Sequence, residues 1–500
     1  MGGTLIRWRD DAGAVSGGSL FSLLAALSRG EAASFPALRP HQREPWHAFL
    51  CQVAAMALIR AGATDLPDAE EAWRALLIEL TPDWPGGEAW SLVVDDWTKP
   101  ALLQPPIVTE KNKADYKARL DTPDALDMLV TAKNHDVKQE RMVAGRNEDW
   151  LFALVTLQTS EGFLGAGNYG ISRMNGGFAS RMSMGVRPLG GPSAAFRRDV
   201  RRLIELARDR DYRRGLPLLW LPRWDGTIQL GFDDLDELYV DICRRVRLVR
   251  DETGVAACVA SSKVARVAAA GLNGKTGDPW APIKADMSAS VTPTGSGFGY
   301  RQMSRLLHPT ETIRPPLAEP ATSDDPEGLA LVAAALVRGQ GKTEGLHRRS
   351  VSISRKVFRV LKPPEVLDRM AQVAERRAQD AGEAGKRLRH ALLTLVQGGP
   401  QQARLDDDAG TKKIAPWMGW FDGEVDRCFF DGAFWAEVGA EALAHRRTWR
   451  TRLREMAGAV FEEAAEAAPR TDMRRIRARA VARNLLDARM RSFIAEVADE

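Results

Sequence analysis

Cysteine and histidine are scarce in this 500-residue chain, and neither residue type is arranged as a known metal or redox motif. The four cysteines are Cys51, Cys243, Cys258 and Cys428, and no two of them have the CxxC spacing of a zinc or dithiol site. The seven histidines include no HxH or HExxH pair. We therefore expect no metal, no other cofactor and no disulfide framework, as is typical of reduced intracellular proteins.

Catalytic and membrane-spanning motifs are lacking as well. The chain contains no GxSxG nucleophile elbow, and the adjacent His135 and Asp136 cannot form a catalytic triad by themselves. No segment offers the run of about 18 apolar residues that a membrane-spanning helix needs. The first residues lack the apolar core of a secretory signal. These absences predict a cytoplasmic protein that is not an enzyme and has no membrane partner.

A nucleotide-binding loop is nearly present. Gly341-Lys342-Thr343 resembles the end of a Walker A motif, but that motif needs a glycine at the position where Leu336 stands. The match to the motif therefore fails. An ATP-binding, nucleic-acid-dependent enzyme that uses these three residues is the alternative function.

The same segment predicts a flexible basic loop with one amide side chain at its centre. Glycine allows the main chain to approach a partner closely, and glutamine can pair with or wedge against a base edge. The competing interpretation is a plain surface loop between two helices. The loop residues are Gly339, Gln340, Gly341 and Lys342.

Composition is that of a globular protein with 44% hydrophobic and 27% charged residues, and the length suits about two to four domains. The net charge is only +4, because 70 Lys and Arg are nearly balanced by 66 Asp and Glu. Within the chain, however, the two signs of charge are segregated locally. Arginine greatly outnumbers lysine in the second half, which favours bidentate contacts with phosphate.

The order of elements predicts an α+β fold. Residues 1–362 alternate helical and strand patterns and are expected to form a large mixed α/β domain. Residues 363–500 are expected to form a C-terminal four-helix bundle, because helical patterns follow one another with short connections. The four patterns cover residues 365–398, 422–440, 440–468 and 472–498.

Two further features point to nucleic acid. Glycine is too dense in residues 162–177 for a regular element, so these residues form either a loop that enters a minor groove or a tightly packed turn. The last helical pattern carries an arginine stripe that includes Arg475, Arg479 and Arg483. Such a stripe suits phosphate contacts; a helical scaffold that binds protein is the other interpretation.

Taken in order, these features resemble one family. A strand and helix at the N-terminus precede a polar loop, a glycine loop, a strand-rich middle, a glutamine loop and a helical bundle. This series resembles CasA, the family of large subunits of type I-E CRISPR Cascade complexes, over most of the chain. The resemblance implies a subunit for antiviral defence that binds guide RNA (crRNA) together with the other Cascade subunits. It further implies that the subunit recognises the protospacer-adjacent motif (PAM) on double-stranded DNA, wedges the duplex open to start the R-loop, and recruits a separate helicase-nuclease without cutting DNA itself.

The resemblance also implies roles for particular residues. The PAM-approaching loop corresponds to Gly165, Ala166, Gly167, Asn168 and Tyr169, where Ala166 and Asn168 depart from the family's denser glycine. A PAM-reading lysine on a predicted strand corresponds to Lys263, in preference to Arg266. The duplex wedge corresponds to residues 339–342, after an apolar helix predicted over 329–337. The loop near the 5′ end of the guide RNA contains Lys133, Asn134, His135 and Lys138. We expect contacts to the DNA backbone from Arg348, Arg349, Arg475, Arg479 and Arg483.

Overall fold

Two compact units make up the protein, whose structure is a computed structural model. The first unit comprises Met1–Phe298 and Thr312–Ile353, and the second comprises Gly299–Glu311 and Ser354–Glu500. The chain therefore passes between the units after Phe298, after Glu311 and after Ile353, whereas the sequence predicted a single domain boundary between residues 362 and 363. The structure describes all residues except 1–4, 130–141, 143–144, 178–179, 253, 326, 339–342, 362, 364, 402, 441–442, 469–472 and 497–500.

The first unit mixes helices with short strands, which confirms the predicted mixed α/β character. Its helices are α1 (Leu20–Arg29), α2 (Arg43–Ala61), α3 (Glu70–Glu79), α4 (Glu110–Lys113), α5 (Asn147–Ser160) and α6 (Gly191–Arg208). Its strands are β1 (Ile6–Arg9), β2 (Val15–Gly18), β3 (Ala118–Leu120), β4 (Ser183–Arg187), β5 (Leu216–Leu218), β6 (Leu230–Gly231), β7 (Leu235–Val240), β8 (Arg245–Asp251), β9 (Gly254–Ala260), β10 (Val267–Ala268), β11 (Ile283–Lys284), β12 (Thr312–Ile313), β13 (Ala330–Arg338) and β14 (Thr343–Ser352).

Helix α2 lies at the centre of the first unit. It packs against α3, α5, α6 and β7, and almost every residue from Trp46 to Leu58 is buried. A helix that is apolar on all sides must be enclosed by other elements. Gly62 ends the helix with a φ of 67°, in the left-handed region that glycine adopts readily. The elements that carry the candidate site are therefore arranged around one buried helix.

Strand β13 is the central strand of an antiparallel sheet with the order β14-β13-β4. All of its residues from Leu331 to Arg338 are buried. The prediction of a helix over residues 329–337 is therefore wrong. A short continuous apolar run fits a strand buried on both faces as well as a buried helix. Its nine residues are an ordinary length for a strand and short for a helix.

A second antiparallel sheet has the order β3-β9-β8. Strand β9 ends at Ala260, whereas the sequence predicted that Lys263 lies on a strand. The chain leaves the sheet after Ala260 and enters β10 only at Val267. Residues 261–266 therefore form a loop at the end of this sheet, and the predicted PAM-reading residues lie on that loop.

The second unit is helical, and its four long helices form a bundle as predicted, although the helix over residues 408–428 was not among the four predicted patterns. Helix α9 packs against α10, α12 and α13, and α12 also packs against α10 and α13; the helices of this unit are α7 (Tyr300–Leu307), α8 (Arg355–Leu361), α9 (Glu365–Gln397), α10 (Asp408–Cys428), α11 (Gly432–Gly439), α12 (Leu443–Ala467) and α13 (Met473–Ala495). The helix predicted over 422–440 covers the end of α10 and the whole of α11, which are separate helices. Asp431 accepts hydrogen bonds from the first amides of α11 and caps it. Within the described residues of both units, no helix is both long and apolar enough to cross a bilayer.

Candidate nucleic-acid interface

Residues 161–170, which we call the glycine loop, form a closed turn after α5 and contain the predicted PAM-approaching residues 165–169. The amide of Asn168 donates to the carbonyl of Gly165 at 3.0 Å. Gly165 and Gly167 have φ values of 113° and 87°, so the backbone conformation itself favours glycine at both positions. Ala166 and Asn168 are exposed at the tip. The turn therefore presents main chain and two small side chains to solvent.

Arg244 holds the two ends of the glycine loop together. Its guanidinium donates to the carbonyl of Gly162 at 3.1 Å and to the carbonyl of Tyr169. Arg244 is 8% exposed, and a β-carbon at Gly170 would lie only 2.8 Å from the carbonyl carbon of Gly162. The base of the loop is thus fixed by one buried side chain and by close contact between main-chain segments.

Lys263 lies in the loop after β9, which we call the lysine loop (residues 261–266), and its side chain is exposed. The amide of Lys263 donates to the carbonyl of Gly226 at 2.7 Å. The amide of Ser262 donates to the carbonyl of Gly167 at 3.1 Å, and the hydroxyl of Tyr169 donates to the carbonyl of Lys263 at 2.8 Å. These hydrogen bonds join the lysine loop to the glycine loop, two elements that the sequence predicts only as separate segments.

Arg266, the second predicted PAM-reading residue, points into the protein. It is 2% exposed, and its guanidinium donates to the carbonyls of Leu219, Pro222 and Arg223 at 2.9–3.3 Å. Burial lowers the pKa of Arg266 to about 10. Its donors hold the neighbouring backbone, so Lys263 is the one of the two predicted PAM-reading residues whose side chain is accessible to a ligand.

The hairpin of β13 and β14 is anchored to the start of the glycine loop. Arg338, the last residue of β13, forms an ion pair with Glu161 at 2.6 Å, and the side chains are 2% and 1% exposed. Burial raises the pKa of Glu161, against the opposing effect of the guanidiniums of Arg338 and Arg244. The predicted wedge residues follow Arg338 directly and lie outside the described residues; they are Gly339, Gln340, Gly341 and Lys342.

The geometry around this loop does not fit a Walker A site. In such a site the GK[ST] residues open a helix, whose N-terminal amides bind phosphate. Here Thr343 begins strand β14, which pairs antiparallel with β13. The alternative of an ATP-binding enzyme therefore lacks the element that would bind the phosphates.

Two of the predicted backbone-contacting arginines lie on β14. Arg348 is exposed, and its nearest carboxylate partner, Glu44, is 4.0 Å away. Arg349 is partly buried and engaged by a neighbouring group. Of the two, Arg348 is the one whose charge is available to a phosphate.

The arginine stripe on α13 is largely compensated by carboxylates of α12. Arg479 pairs with Glu466 at 2.6 Å, and Arg483 pairs with Glu462. Arg475 is exposed but also engaged by another group. These pairs favour a role for the stripe in joining α12 to α13, and they reduce the charge it presents to DNA.

The polar loop predicted to meet the guide RNA lies outside the described residues. It contains Lys133, Asn134, His135 and Lys138. Its neighbours in the chain are described, with α5 beginning at Asn147.

A buried polar cluster on α2 and α6 was missed by the sequence analysis. The potential metal-ligand atoms of His47, Cys51 and Asp199 lie within 4.8 Å of one another. Among the described residues, this is the group whose spacing could hold a metal ion. His47 Nε2 faces both Asp199 at 2.7 Å and Cys51 Sγ at 3.5 Å, so one nitrogen would have to serve both neighbours of a triad. Arg187 and Arg198 bind Asp199 at 2.7 and 2.9 Å. Two guanidiniums beside the carboxylate disfavour a cation, so the cluster is an ion-pair network of the core.

The spacing of His47 and Cys51 on one helix face was visible in the sequence, but their proximity to Asp199 was not.

Solved structures with the same fold include three proteins named CasA or Cse1. The chain matches Thermus thermophilus CasA (Cse1) with a TM-score of 0.63 at 16% identity, covering 98% of each chain. It matches Cse1 from Acidimicrobium ferrooxidans with a TM-score of 0.63 at 14% identity, covering 100% of this chain and 98% of that one. It matches Thermobifida fusca Cse1 with a TM-score of 0.62 at 12% identity, covering 98% and 97%. No family model and no curated protein matches the chain. At these identities the comparisons establish the fold.

Proposed function

We propose that the chain is the large subunit of a type I-E CRISPR Cascade complex, a cytoplasmic RNA-guided complex of antiviral defence. In this role it binds crRNA with the other Cascade subunits and recognises the PAM on double-stranded DNA. It then opens the duplex to start the R-loop and recruits a separate helicase-nuclease, while cutting no DNA itself. The fold shared with CasA and Cse1 over 98% of the chain supports this proposal.

The observation that carries the proposal is the junction of the glycine loop, the lysine loop and the end of β13. Hydrogen bonds join Gly167 to Ser262 and Tyr169 to Lys263, and the ion pair of Glu161 with Arg338 joins the glycine loop to the hairpin. A protein that reads a short motif and opens the adjacent base pair needs its reading and wedging groups on one rigid support. This junction is such a support.

Lys263→Ala is expected to relax the choice of PAM in the assembled complex, obtained by co-expressing the full-length chain with its genomic neighbours. Selection from a library of duplexes with randomised flanks should show a preference in the wild type. The variant should lose about tenfold of this preference, the order of one base contact in a groove. Because minor-groove readout is degenerate, the wild type should accept several motifs.

Lys284→Ala is the matched control, since Lys284 is an exposed lysine of the same unit and outside the site. It should keep the wild-type preference. A complex that forms without RNA, or that binds all duplexes alike, would contradict the proposed function. A change of motif in a stably folded Arg266→Ala variant, with none in Lys263→Ala, would overturn the assignment to Lys263.

Gln340→Ala is expected to reduce duplex opening more than initial association. Unstacking one step costs a few kcal/mol, which an inserted side chain can offset. Permanganate reactivity of thymines beside the PAM measures opening, and anisotropy of a labelled duplex measures association. Lys342→Ala, in the same loop, is the comparison: loss of its charge should weaken association first. Equal losses of opening and association in Gln340→Ala would exclude the wedge role.

A further inference from the structure

A second basic surface lies on residues 110–117, which we call the lysine segment. Its three lysines, Lys111, Lys113 and Lys117, are all exposed. Within the described part of the chain, none of the three forms an ion pair. By contrast, the nearby Arg244, Arg245 and Arg266 are bound to carbonyls or carboxylates. Their charge is therefore available to a partner.

The lysine segment runs beside the lysine loop. Strand β3, which follows the segment, pairs antiparallel with β9, with Ala118 opposite Val259. The chain before Ala118 therefore lies alongside the chain after Val259. Asp115 pairs with Arg245 at 3.1 Å, and Arg245 donates to the carbonyl of Ser261 at 2.9 Å. This chain of contacts fixes the segment against the start of the lysine loop.

The separation suits a single DNA duplex. Val259 lies four residues before Lys263, so at about 3.3 Å per residue Lys117 and Lys263 are within about 20 Å of each other. One turn of B-DNA extends about 34 Å. A duplex that meets Lys263 can therefore reach the lysine segment within the same turn.

The local surroundings keep one of these charges ordered and uncompensated. The Lys113 ammonium lies 5.4 Å from the centre of the Trp97 ring, a contact that favours the cation without neutralising it. Trp97 is in turn held edge-on by Tyr116 at 5.7 Å. The carboxylate of Asp115 is already paired with Arg245, which leaves Glu110 as the remaining acid of the segment.

We propose that Lys111, Lys113 and Lys117 bind the phosphate backbone of the duplex that lies against the glycine loop and Lys263. This inference rests on the proposed function. Lysine offers a compact point charge without the planar fork of arginine, which suits sequence-independent phosphate contact. The lysine segment thus supplies affinity and register, while the lysine loop supplies the choice of motif.

The test removes the three charges by glutamine substitution, in Lys111→Gln, Lys113→Gln, Lys117→Gln, within the complex assembled around the full-length chain. Anisotropy of a labelled 30-base-pair duplex is measured across a series of NaCl concentrations. Each lost phosphate contact lowers the slope of log K against log[salt] by about 0.9, so the slope should fall by about 2 to 3. Affinity near physiological salt should fall by about tenfold or more, by the same factor with and without the preferred motif.

The matched control replaces three other exposed lysines, Lys284, Lys356 and Lys412, by glutamine. It removes the same net charge and should change the slope by less than one contact's worth. An equal effect in the control would overturn the proposal, because the loss would then reflect net charge alone. Should the triple variant lose thermal stability through Lys113 and Trp97, the double variant Lys111→Gln, Lys117→Gln keeps that contact and should show about two thirds of the slope change.

Failure of this inference can be told apart from failure of the proposed function. Wild-type affinity and salt slope in the triple variant, with relaxed motif choice in Lys263→Ala, would overturn the lysine segment alone. A wild-type complex that binds no duplex would overturn both. Loss of the bound helicase-nuclease with unchanged DNA affinity would show that the segment meets an acidic protein surface, and would also overturn the proposal.

Discussion

Replacing Arg338 by alanine is expected to destabilise the first unit by about 3–5 kcal/mol, because the carboxylate of Glu161 is then buried without its partner. The two side chains are 2% and 1% exposed and 2.6 Å apart. The change also releases the end of β13, directly before the predicted wedge. Urea denaturation of the full-length chain measures the loss of stability, and duplex opening by the complex should decrease with it.

Two variants separate the unpaired charge from other effects. Arg348→Ala lies on the same hairpin, at a side chain that is 44% exposed and 4.0 Å from Glu44, and should cost less than about 1 kcal/mol. The double variant Arg338→Met, Glu161→Leu removes both charges and should recover most of the stability. A double variant as unstable as Arg338→Ala would show that the buried charge is not the cause.

The effect of Arg338→Ala should also depend on pH. Burial already raises the pKa of Glu161, and removing Arg338 raises it further. A carboxyl group with a raised pKa in the folded state favours folding at low pH and loses that contribution as pH rises through the folded-state pKa. The variant should therefore lie closer to the wild type at about pH 5 than at about pH 8. A constant difference in the free energy of unfolding would contradict this account.

Asp199→Asn is expected to destabilise the first unit by a similar amount, about 3–5 kcal/mol. The carboxylate is buried and accepts hydrogen bonds from His47, Arg187 and Arg198 at 2.7–2.9 Å. An amide keeps the shape but removes the charge that Arg187 and Arg198 share, so that Arg187 keeps only Glu44 and Arg198 keeps only Asp324 as a carboxylate partner. Urea denaturation near pH 7 measures the difference. Asp211→Asn, just beyond the same helix and exposed, is the matched control and should be nearly neutral.

The pH dependence of Asp199→Asn should have the opposite sense. Burial alone would raise the pKa of Asp199, but Arg187, His47 and Arg198 outweigh it and hold the pKa well below its usual range. The stabilisation is therefore present above the ordinary aspartate pKa of about 3.9 and is lost as pH falls below it. The variant should approach the wild type in acid. A gap that widens as pH falls would show that Asp199 is not held as a carboxylate.

Local patterns in the sequence predicted most of the fold. The helical pattern over residues 365–398 corresponds to α9, and the pattern over residues 472–498 corresponds to α13. The run at 329–337 was misread because an all-apolar strand, paired at both edges with β4 and β14 and buried on both faces, shows no alternation. A period of two appears only where one face meets water.

The candidate site was predictable residue by residue but not as an assembly. Lys263 and Arg266 look alike as two cations in one loop, and only the fold shows that one is exposed and the other buried. Glu161 and Arg338 are 177 positions apart in the sequence, so no local sequence pattern predicts their ion pair. The sequence shows three closely spaced lysines, Lys111, Lys113 and Lys117. Their nearness to Lys263 depends on the pairing of β3 with β9, which the sequence does not show.

Arg244 fixes the base of the glycine loop, whereas the side chains that the loop exposes to solvent lie at its tip. Its guanidinium fixes the carbonyls at the loop ends, while Ala166 and Asn168 project from the tip. Side chains at those two positions can be exchanged in a directed-evolution library without disturbing the hydrogen bonds that shape the turn. Ala166 and Asn168, randomised together with Lys263, are therefore the natural starting point for retargeting the protein to new flanking motifs.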